Sequence, residues 1–493
     1  MRTEGILTTC AAIAAILLTA ALPGATAAAS GPPSQISNVF GAYAGEIREA
    51  VAGPDGYRHV DTEATLNKLG ELHNNTFVYL IWDAPSDWDD LRTTFLPAAQ
   101  KRGMDVWIYL VPPTECSPQR CSYPYQTDYL RWAQEIAALS KRYPALKGYA
   151  IDDFNHNLNL FTPEYVRQMQ DTSKAINPRL VFLPQVYNTT ITPEFVDSYG
   201  PLIDGLILAF RDDPYRNTQR TDTLRAQLDA ASAKLAKYHK PLVLMNYTSS
   251  LSATPFPPTP EYVRTTTEVG AEYVAAGKLG GTLTYVLPLN PADDWNHDNH
   301  AYHGVGRLSL FVPMATPTNA GDTAGASQVV QVDPNADEYH IAFRHNDTYY
   351  SGGQAAGYQL KQLLVDGEVV WETDVAADAP GYSTVDVDLS QQLRGKTSAT
   401  LTFRLLERAG VSNFWVDVSF DDIQATGFTV ANPGFESRDT WELSSSSHGL
   451  LPDFDQYLPD RAVQAFAEVQ RVYGAQERGH HGAAAGASGE FGG

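Results

Sequence analysis

Eight short apolar runs, each followed by a stretch with helical periodicity, occupy residues 38 to about 310 of this chain. The runs fall at 39–43, 76–82, 105–111, 148–153, 180–187, 205–211, 241–247 and 281–287. Amphipathic stretches between them include 128–142, 163–176, 193–199, 221–238 and 260–277. Strands that alternate with helices form a parallel sheet covered by helices. Eight units in this length predict a closed (β/α)8 TIM barrel rather than an open doubly wound sheet. No G-x-G-x-x-G or phosphate loop follows any run, so the dinucleotide and nucleotide fingerprints are missing.

A small repeat marks where helices begin. Thr162-Pro163-Glu164-Tyr165-Val166 recurs as Thr259-Pro260-Glu261-Tyr262-Val263, with a near copy at Thr192-Pro193-Glu194-Phe195-Val196. Thr caps, Pro presets φ at the first helical position, and Glu favours the positive end of the helix. The repeat is punctuation, not a functional motif.

The texture changes after Val312. Residues 313–327 are rich in Ala, Thr, Gly and Pro and predict a linker. Alternating runs without helices follow at 328–332, 338–344, 358–365, 368–373, 383–389, 399–406, 411–420 and 423–428, with Asp366-Gly367 as a hairpin turn. They predict an all-β sandwich of jelly-roll type over 328–430, after a barrel domain at 34–312. A C-terminal extension at 431–475 carries one helix, 459–473. The Gly/Ala-rich tail at 476–493 is expected to be disordered.

The N-terminus carries Arg2, an apolar run from Ile6 to Leu22, and small residues through Ala29. This pattern predicts a signal peptide over 1–29, cleaved near Ala27–Ala29, and a secreted protein. No later segment approaches 18 consecutive apolar residues, so no membrane insertion is expected. The 57 acidic residues against 35 basic ones leave a formal charge of −22, which argues against nucleic acid as a partner. Cys116 and Cys121 bracket four residues and are expected to form a disulfide in an oxidising compartment. A monomer is expected.

Barrels do their chemistry at the C-terminal ends of the strands. Here those ends are rich in carboxylates and aromatic rings. The candidate catalytic residues are Asp152 and Asp153 after strand 4, and Asp212 and Asp213 after strand 6. Two carboxyls flanking one bond suit glycosidic cleavage, one protonating the leaving oxygen and the other attacking or activating water. Trp82, Asp83, Tyr109, Gln185, Tyr187, Arg211, Tyr247 and Tyr285 are the candidate substrate-binding residues, since rings stack on sugar faces and polar groups grip hydroxyls. Alternation along strand 4 favours Asp152 as inward-pointing, with Asp153 lining the strand-end loop; on strand 6 it favours Arg211 and Asp213 over Asp212. An isolated Asp at a strand end also serves as a helix cap.

Other chemistries fit less well. Asp293, Asp294, His297, Asp298, His300 and His303 match no metalloprotease spacing, and no metal or cofactor is expected. A G-x-S-x-G elbow is missing. Asp417, Asp421 and Asp422 could ligate a structural calcium, but read better as turn residues.

A barrel with Gly148-Tyr149-Ala150-Ile151-Asp152-Asp153-Phe154 at strand 4 resembles a glycoside hydrolase. The aspartates of strands 4 and 6 resemble the layout of the α-galactosidase-like clan, in which the strand 4 Asp is the nucleophile and a strand 6 Asp the acid/base. The D-x-x-D-x-D-x-E signature of the chitinase-like clan is absent. The C-terminal region, with Asn413-Phe414-Trp415-Val416-Asp417, is similar to the carbohydrate-binding β-domains that follow such barrels. The resemblance implies a carbohydrate substrate. The competing expectation is a non-catalytic glycan-binding or cell-envelope protein on a barrel scaffold, because a fold alone does not establish chemistry.

Overall fold

The computed structural model describes residues 36–249, 257–290, 299–350, 356–377, 381–412, 414–456 and 459–487. The expected signal peptide lies outside them. Strands β1 (Val39–Tyr43), β2 (Thr76–Ile81), β3 (Asp105–Leu110), β4 (Leu146–Ile151), β5 (Val181–Val186), β6 (Leu206–Phe210), β7 (Leu242–Tyr247) and β8 (Gly281–Tyr285) close into a parallel barrel. Closure between β8 and β1 requires close approach: a Cβ at Gly281 would lie 2.4 Å from Val39 Cβ.

Helices cover the barrel: α1 (Thr62–Glu71), α2 (Asp87–Asp90) and α3 (Leu96–Lys101) joined by a π-helical turn, α4 (Tyr129–Arg142), α5 (Pro163–Ile176), α6 (Pro193–Tyr199), α7 (Leu224–Leu235) and α8 (Pro260–Ala275). The repeat punctuates as expected. Thr162, Thr192 and Thr259 accept from the backbone N–H of Tyr165, Phe195 and Tyr262, and a proline follows each.

The C-terminal half holds two antiparallel sheets around a second apolar core. One contains β10 (Thr323–Val332), β12 (Gln359–Val365), β13 (Glu368–Asp374), β15 (Ser398–Glu407), β17 (Phe428–Thr429) and β18 (Glu442–Ser445). The other contains β9 (Gly306–Val312), β11 (His340–Tyr350), β14 (Ser383–Asp388), β16 (Trp415–Thr426) and β19 (Leu451–Gln456). A short helix, α9 (Ser390–Leu393), precedes β15. Asp366 and Gly367 form the β12–β13 turn with φ of 49° and 84°, the left-handed pair that a two-residue hairpin needs.

Several boundaries differ from the sequence reading. Strand β9, assigned to the barrel by the expected boundary at 312, pairs with β16 and β19. It faces two ways: Leu308, Leu310 and Val312 enter the sandwich core, while Arg307 and Ser309 bond Asp417 on β16. The expected linker at 313–327 already contains the start of β10, where Ala324 and Ala326 are buried. Its small residues serve packing: a Cβ at Gly325 would sit 2.5 Å from Phe403 O. The runs at 411–420 and 423–428 merge into β16, which turns at Asp422 (φ 48°).

The largest difference is at the C-terminus. Helix α10 runs Pro459–Ala487, well past residue 473 and into the tail expected to be disordered. It fills the outer place between α8 and α1 that the helix after β8 takes in such a barrel. Arg471 pairs with Glu268 of α8 at 2.7 Å, and Gln470 Nε2 donates to Glu71 O at the end of α1. Tyr473 packs against Phe40 (5.3 Å between rings) and donates to backbone carbonyls of both β1 and β8. The sandwich is therefore an insertion between β8 and its helix.

Candidate active site

The β4 strand sets the centre of the site. Asp152 continues it, its N–H donating to Leu110 O. Its carboxyl Oδ1 accepts from Tyr109 Oη at 2.8 Å and from Asp153 N at 3.0 Å. Asp153 then leaves the strand with φ +38°, a left-handed conformation that costs a non-glycine residue about 1–3 kcal/mol and recurs at functional sites. Two contacts hold it there. Its N–H also donates to Gln185 Oε1 at 2.9 Å, and its Oδ2 faces His156 Nδ1 at 3.1 Å. Asp153 Oδ1 and Gln185 Nε2 are enclosed without a hydrogen-bond partner among the described residues.

The two adjacent carboxyls are driven apart in protonation. Burial pushes Asp152 well above the usual carboxylate range, and the charges of Glu115 and Asp153 add to it. Burial acts on Asp153 in the same direction, but the hydrogen bonds from His156 and Tyr187 and the charge of Arg211 outweigh it and hold Asp153 low.

Tyrosines wall this pair. Tyr43, Tyr285 and Tyr247 lie in one register across β1, β8 and β7. Their ring centroids are 5.4 Å and 4.6 Å apart, and Tyr109 continues the arc 4.2 Å from Tyr43. On the β5 side Tyr187 lies under the Arg211 guanidinium, 3.3 Å from ring centroid to Cζ. Among the residues singled out from sequence, Asp152, Asp153, Tyr109, Gln185, Tyr187, Arg211, Tyr247 and Tyr285 thus join one continuous constellation.

The strand 6 carboxylates are engaged elsewhere. Asp213 accepts from Arg211 Nε at 2.8 Å and fixes that guanidinium over Tyr187. Asp212 turns away with φ +50°; its fully buried carboxylate accepts from Thr223 Oγ1 and meets His448 Nδ1 of the sandwich. Trp82 sits at the rim under Arg120, while the exposed Asp83 faces Arg48 and Arg120.

One carboxyl was passed over in sequence. Glu115 ends the 3-10 turn Pro113–Glu115, just beyond β3. Trp82 Nε1 donates to its carbonyl at 3.4 Å, and Asn157 Nδ2 donates to the neighbouring Thr114 Oγ1 at 3.0 Å. Cys116, the next residue, is bonded to Cys121. Burial pushes the Glu115 carboxyl up to about 7, with the Asp153 charge adding and His156 opposing. The available signal was an acid within a few residues of a barrel strand's C-terminal end, in a loop that a disulfide clamps.

Of the residues weighed against a metal site, Asp293, Asp294, His297 and Asp298 lie outside the described residues. His300 pairs with Asp455 at 3.2 Å, and His303 N donates to Asp421. Asp417 is held by Arg307 and Ser309. Among the described residues no group of three or more His, Cys, Asp or Glu is placed to hold a metal ion, and no helix is long and apolar enough to cross a membrane. A cavity of about 410 Å³ lined by Phe40, Asn74, Arg102 and Tyr473 opens at the opposite end of the barrel, away from these carboxyls.

The sequence matches no protein-family model and no curated protein. Among solved structures it is similar to a glucosidase from Croceicoccus marinus, with 11% identity over 76% of this chain and 97% of that one and a TM-score of 0.37. Similarity to β-glucuronidase 2 of Bacteroides uniformis covers 78% and 65% of the two chains at 10% identity and a TM-score of 0.39. An endo-α-mannosidase from Bacteroides thetaiotaomicron covers 45% and 64% at 11% identity and a TM-score of 0.32. At this level none of these proteins supplies a residue role.

Proposed function

We propose that the protein is a secreted glycoside hydrolase acting on a poly- or oligosaccharide. The observation that carries this reading is the β4 pair: one carboxyl pushed toward its ionised form and one toward its protonated form, side by side within an arc of packed, mutually tilted tyrosines. Environments that push neighbouring carboxyls apart prepare a site for acid and base roles at one pH. Asp153 is the ionised member. Its carboxylate, one-fifth exposed, is the group that attacks the anomeric carbon or takes a proton from water. Tyr285, the half-buried member of the arc, offers a ring to a sugar, while the buried tyrosines behind it hold it in place, and Gln185 Nε2 and Arg211 offer donors to ring hydroxyls. The Cys116–Cys121 bridge suits export to an oxidising compartment.

The test is a screen of the purified protein against polysaccharides and aryl glycosides, followed by Asp153→Asn on whichever substrate is cleaved. The substitution keeps the shape of the side chain but removes the carboxylate. Turnover is expected to fall by at least about 10²–10⁴-fold with little change in melting temperature. Retention of most activity would overturn the role of Asp153. Glycan binding without cleavage by the wild type would favour the non-catalytic alternative.

A further inference from the structure

Hydrolysis of a glycosidic bond also needs a proton for the leaving oxygen, and the strand 6 aspartates are not placed to supply it. Asp213 is committed to Arg211, and Asp212 to Thr223 and His448. Among the carboxyls near the mouth, Glu46 accepts from Leu80 N at 2.9 Å. Asp152 accepts two hydrogen bonds on one oxygen, and its Cα lies only about 3.8 Å from that of Asp153 across one peptide. Adjacent side chains at a strand end diverge, whereas glycosidases set their two carboxyls on either side of the scissile bond, about 5–9.5 Å apart.

Glu115 is different. Its carboxyl makes no hydrogen bond or ion pair among the described residues, yet its backbone is fixed from three sides. Trp82 holds the carbonyl, the Thr114–Asn157 bond ties the turn to the one after β4, and the Cys116–Cys121 bridge closes the loop. This is an uncommitted acid on a committed backbone, in a turn after β3 that Asn157 ties to the turn Asp153 opens after β4, since Asn157 Nδ2 donates to Thr114 Oγ1 and to Asp153 O at 3.2 Å.

Resting on the glycosidase reading, we infer that Glu115 is the catalytic acid, the residue that protonates the leaving oxygen opposite Asp153. In this step the bond from the anomeric carbon to the leaving oxygen breaks, and its electron pair stays with that oxygen. The Glu115 O–H proton goes to the same oxygen and releases it as a hydroxyl. The anomeric carbon is taken either by the Asp153 carboxylate, whose ester water later hydrolyses, or directly by a water that gives its proton to Asp153. One water is consumed overall. In the first course that water's proton returns to Glu115; in the second the proton on Asp153 exchanges through solvent to restore Glu115. The position of the Glu115 pKa, about 7, keeps a large protonated fraction at neutral pH.

The experiment compares Glu115→Gln, Asp152→Asn and Asp153→Asn on two aryl glycosides of the sugar that the wild type cleaves. One carries phenol, which needs a proton to leave, and the other dinitrophenol, which does not. For Glu115→Gln, turnover of the phenyl glycoside should fall about 10²–10⁴-fold and the dinitrophenyl glycoside should be largely spared in its bond-breaking step. The alkaline limb of the wild-type pH profile near 7 should disappear. Asp153→Asn should lose both substrates. Equal losses on both glycosides for Glu115→Gln, or no loss, would overturn the inference while leaving the glycosidase reading intact. So would leaving-group discrimination in Asp152→Asn instead. A wild type that cleaves no glycoside would overturn both. Melting curves identify a variant that has failed to fold, and Glu115→Asp then serves as the second variant, expected to keep the alkaline limb at reduced turnover.

Discussion

Asp212→Asn separates a catalytic carboxylate from a structural one, because position in the strand sequence and position in the fold assign Asp212 different work. The carboxylate is fully buried between Thr223 Oγ1 and His448 Nδ1, and His448 Nε2 reaches Asp222 at 3.1 Å. Asparagine keeps one oxygen for Thr223 but loses the charged acceptor facing His448. A hydrogen bond to a charged group contributes about 1.5–3 kcal/mol. Part of that loss is offset, because burial has already pushed the Asp212 pKa up and a neutral amide avoids the cost of burying an anion there. His448 also keeps Asp222 and is 22% exposed, so it is not stranded as a fully buried charge would be. The net loss should therefore be about 1–2 kcal/mol, below the 3–5 kcal/mol typical of breaking a fully buried pair.

Calorimetry should show this as a drop of a few degrees in melting temperature, with turnover on the cleaved glycoside unchanged. His448→Ala should destabilise through the same contact. The double variant should then cost less than the sum, with a coupling of about 0.5–3 kcal/mol. A fall of about 10²-fold or more in turnover at an unchanged melting temperature would refute the reasoning and return Asp212 to the acid role that the sequence suggests.

Two further outcomes test the core and the site. The raised pKa of Asp152 means that the folded chain holds a proton there which the unfolded chain releases above about pH 4. More protons are then bound in the native state, so this group makes stability fall as pH rises through that window. Asp152→Asn, which mimics the protonated carboxyl, should melt higher than the wild type at pH 7–8, with the gap closing toward about pH 4. A gap independent of pH would contradict the assignment. Tyr473→Ala removes a buried ring from Phe40 and the bonds to the Gly41 and Thr282 carbonyls, and should cost about 3–5 kcal/mol in denaturant unfolding. A loss under about 1 kcal/mol would mean that α10 is not part of the barrel wall.

The barrel was legible because its signal is local and repeats: an apolar run, a Thr-Pro-Glu cap and an amphipathic stretch each declare themselves within a few residues. Strand β9 was not, since its seven residues carry the same apolar density as a barrel strand. What decides its place is pairing with Leu451–Gln456, some 140 residues on. The sequence marked a helix at 459–473, not that it belonged between α8 and α1. At the candidate site, the rule that barrels work at strand ends singled out Tyr109, Tyr187, Tyr247, Tyr285, Gln185 and the β4 pair, which the structure brings together. It could not rank Asp212 against Asp213 beyond alternation, because a left-handed turn at Asp212 sends one carboxylate to Thr223 and leaves the other on Arg211. Glu115 carries no periodic signal at all, lying in a turn whose shape comes from a disulfide and from Asn157.

The place of β9, the place of α10 and the engagement of Asp212 share one cause. The sandwich leaves the barrel after β8 and returns at α10, so it is anchored at both ends and seated on the loop that follows β6. Asn217 Nδ2 donates to His448 O, Arg216 to Met314 O and Thr316 to Tyr215 O, while Arg461 of α10 donates both to Pro257 O after β7 and to Asp453 of β19. A carboxylate in that region has two employers, the substrate and the inserted domain. Asp212 is taken by the domain, and Asp213 by the arginine that stacks on Tyr187. The opposite side of the mouth, over β3 and β4, carries none of these sandwich bonds. Asp152, Asp153 and Glu115 lie there; the first two bond within the barrel, and the Glu115 carboxyl bonds no described residue. The division of the rim follows from the insertion: Asp212, on the half that supports the sandwich, is spent on structure, and the glycosidase reading places the chemistry on the acids of the other half.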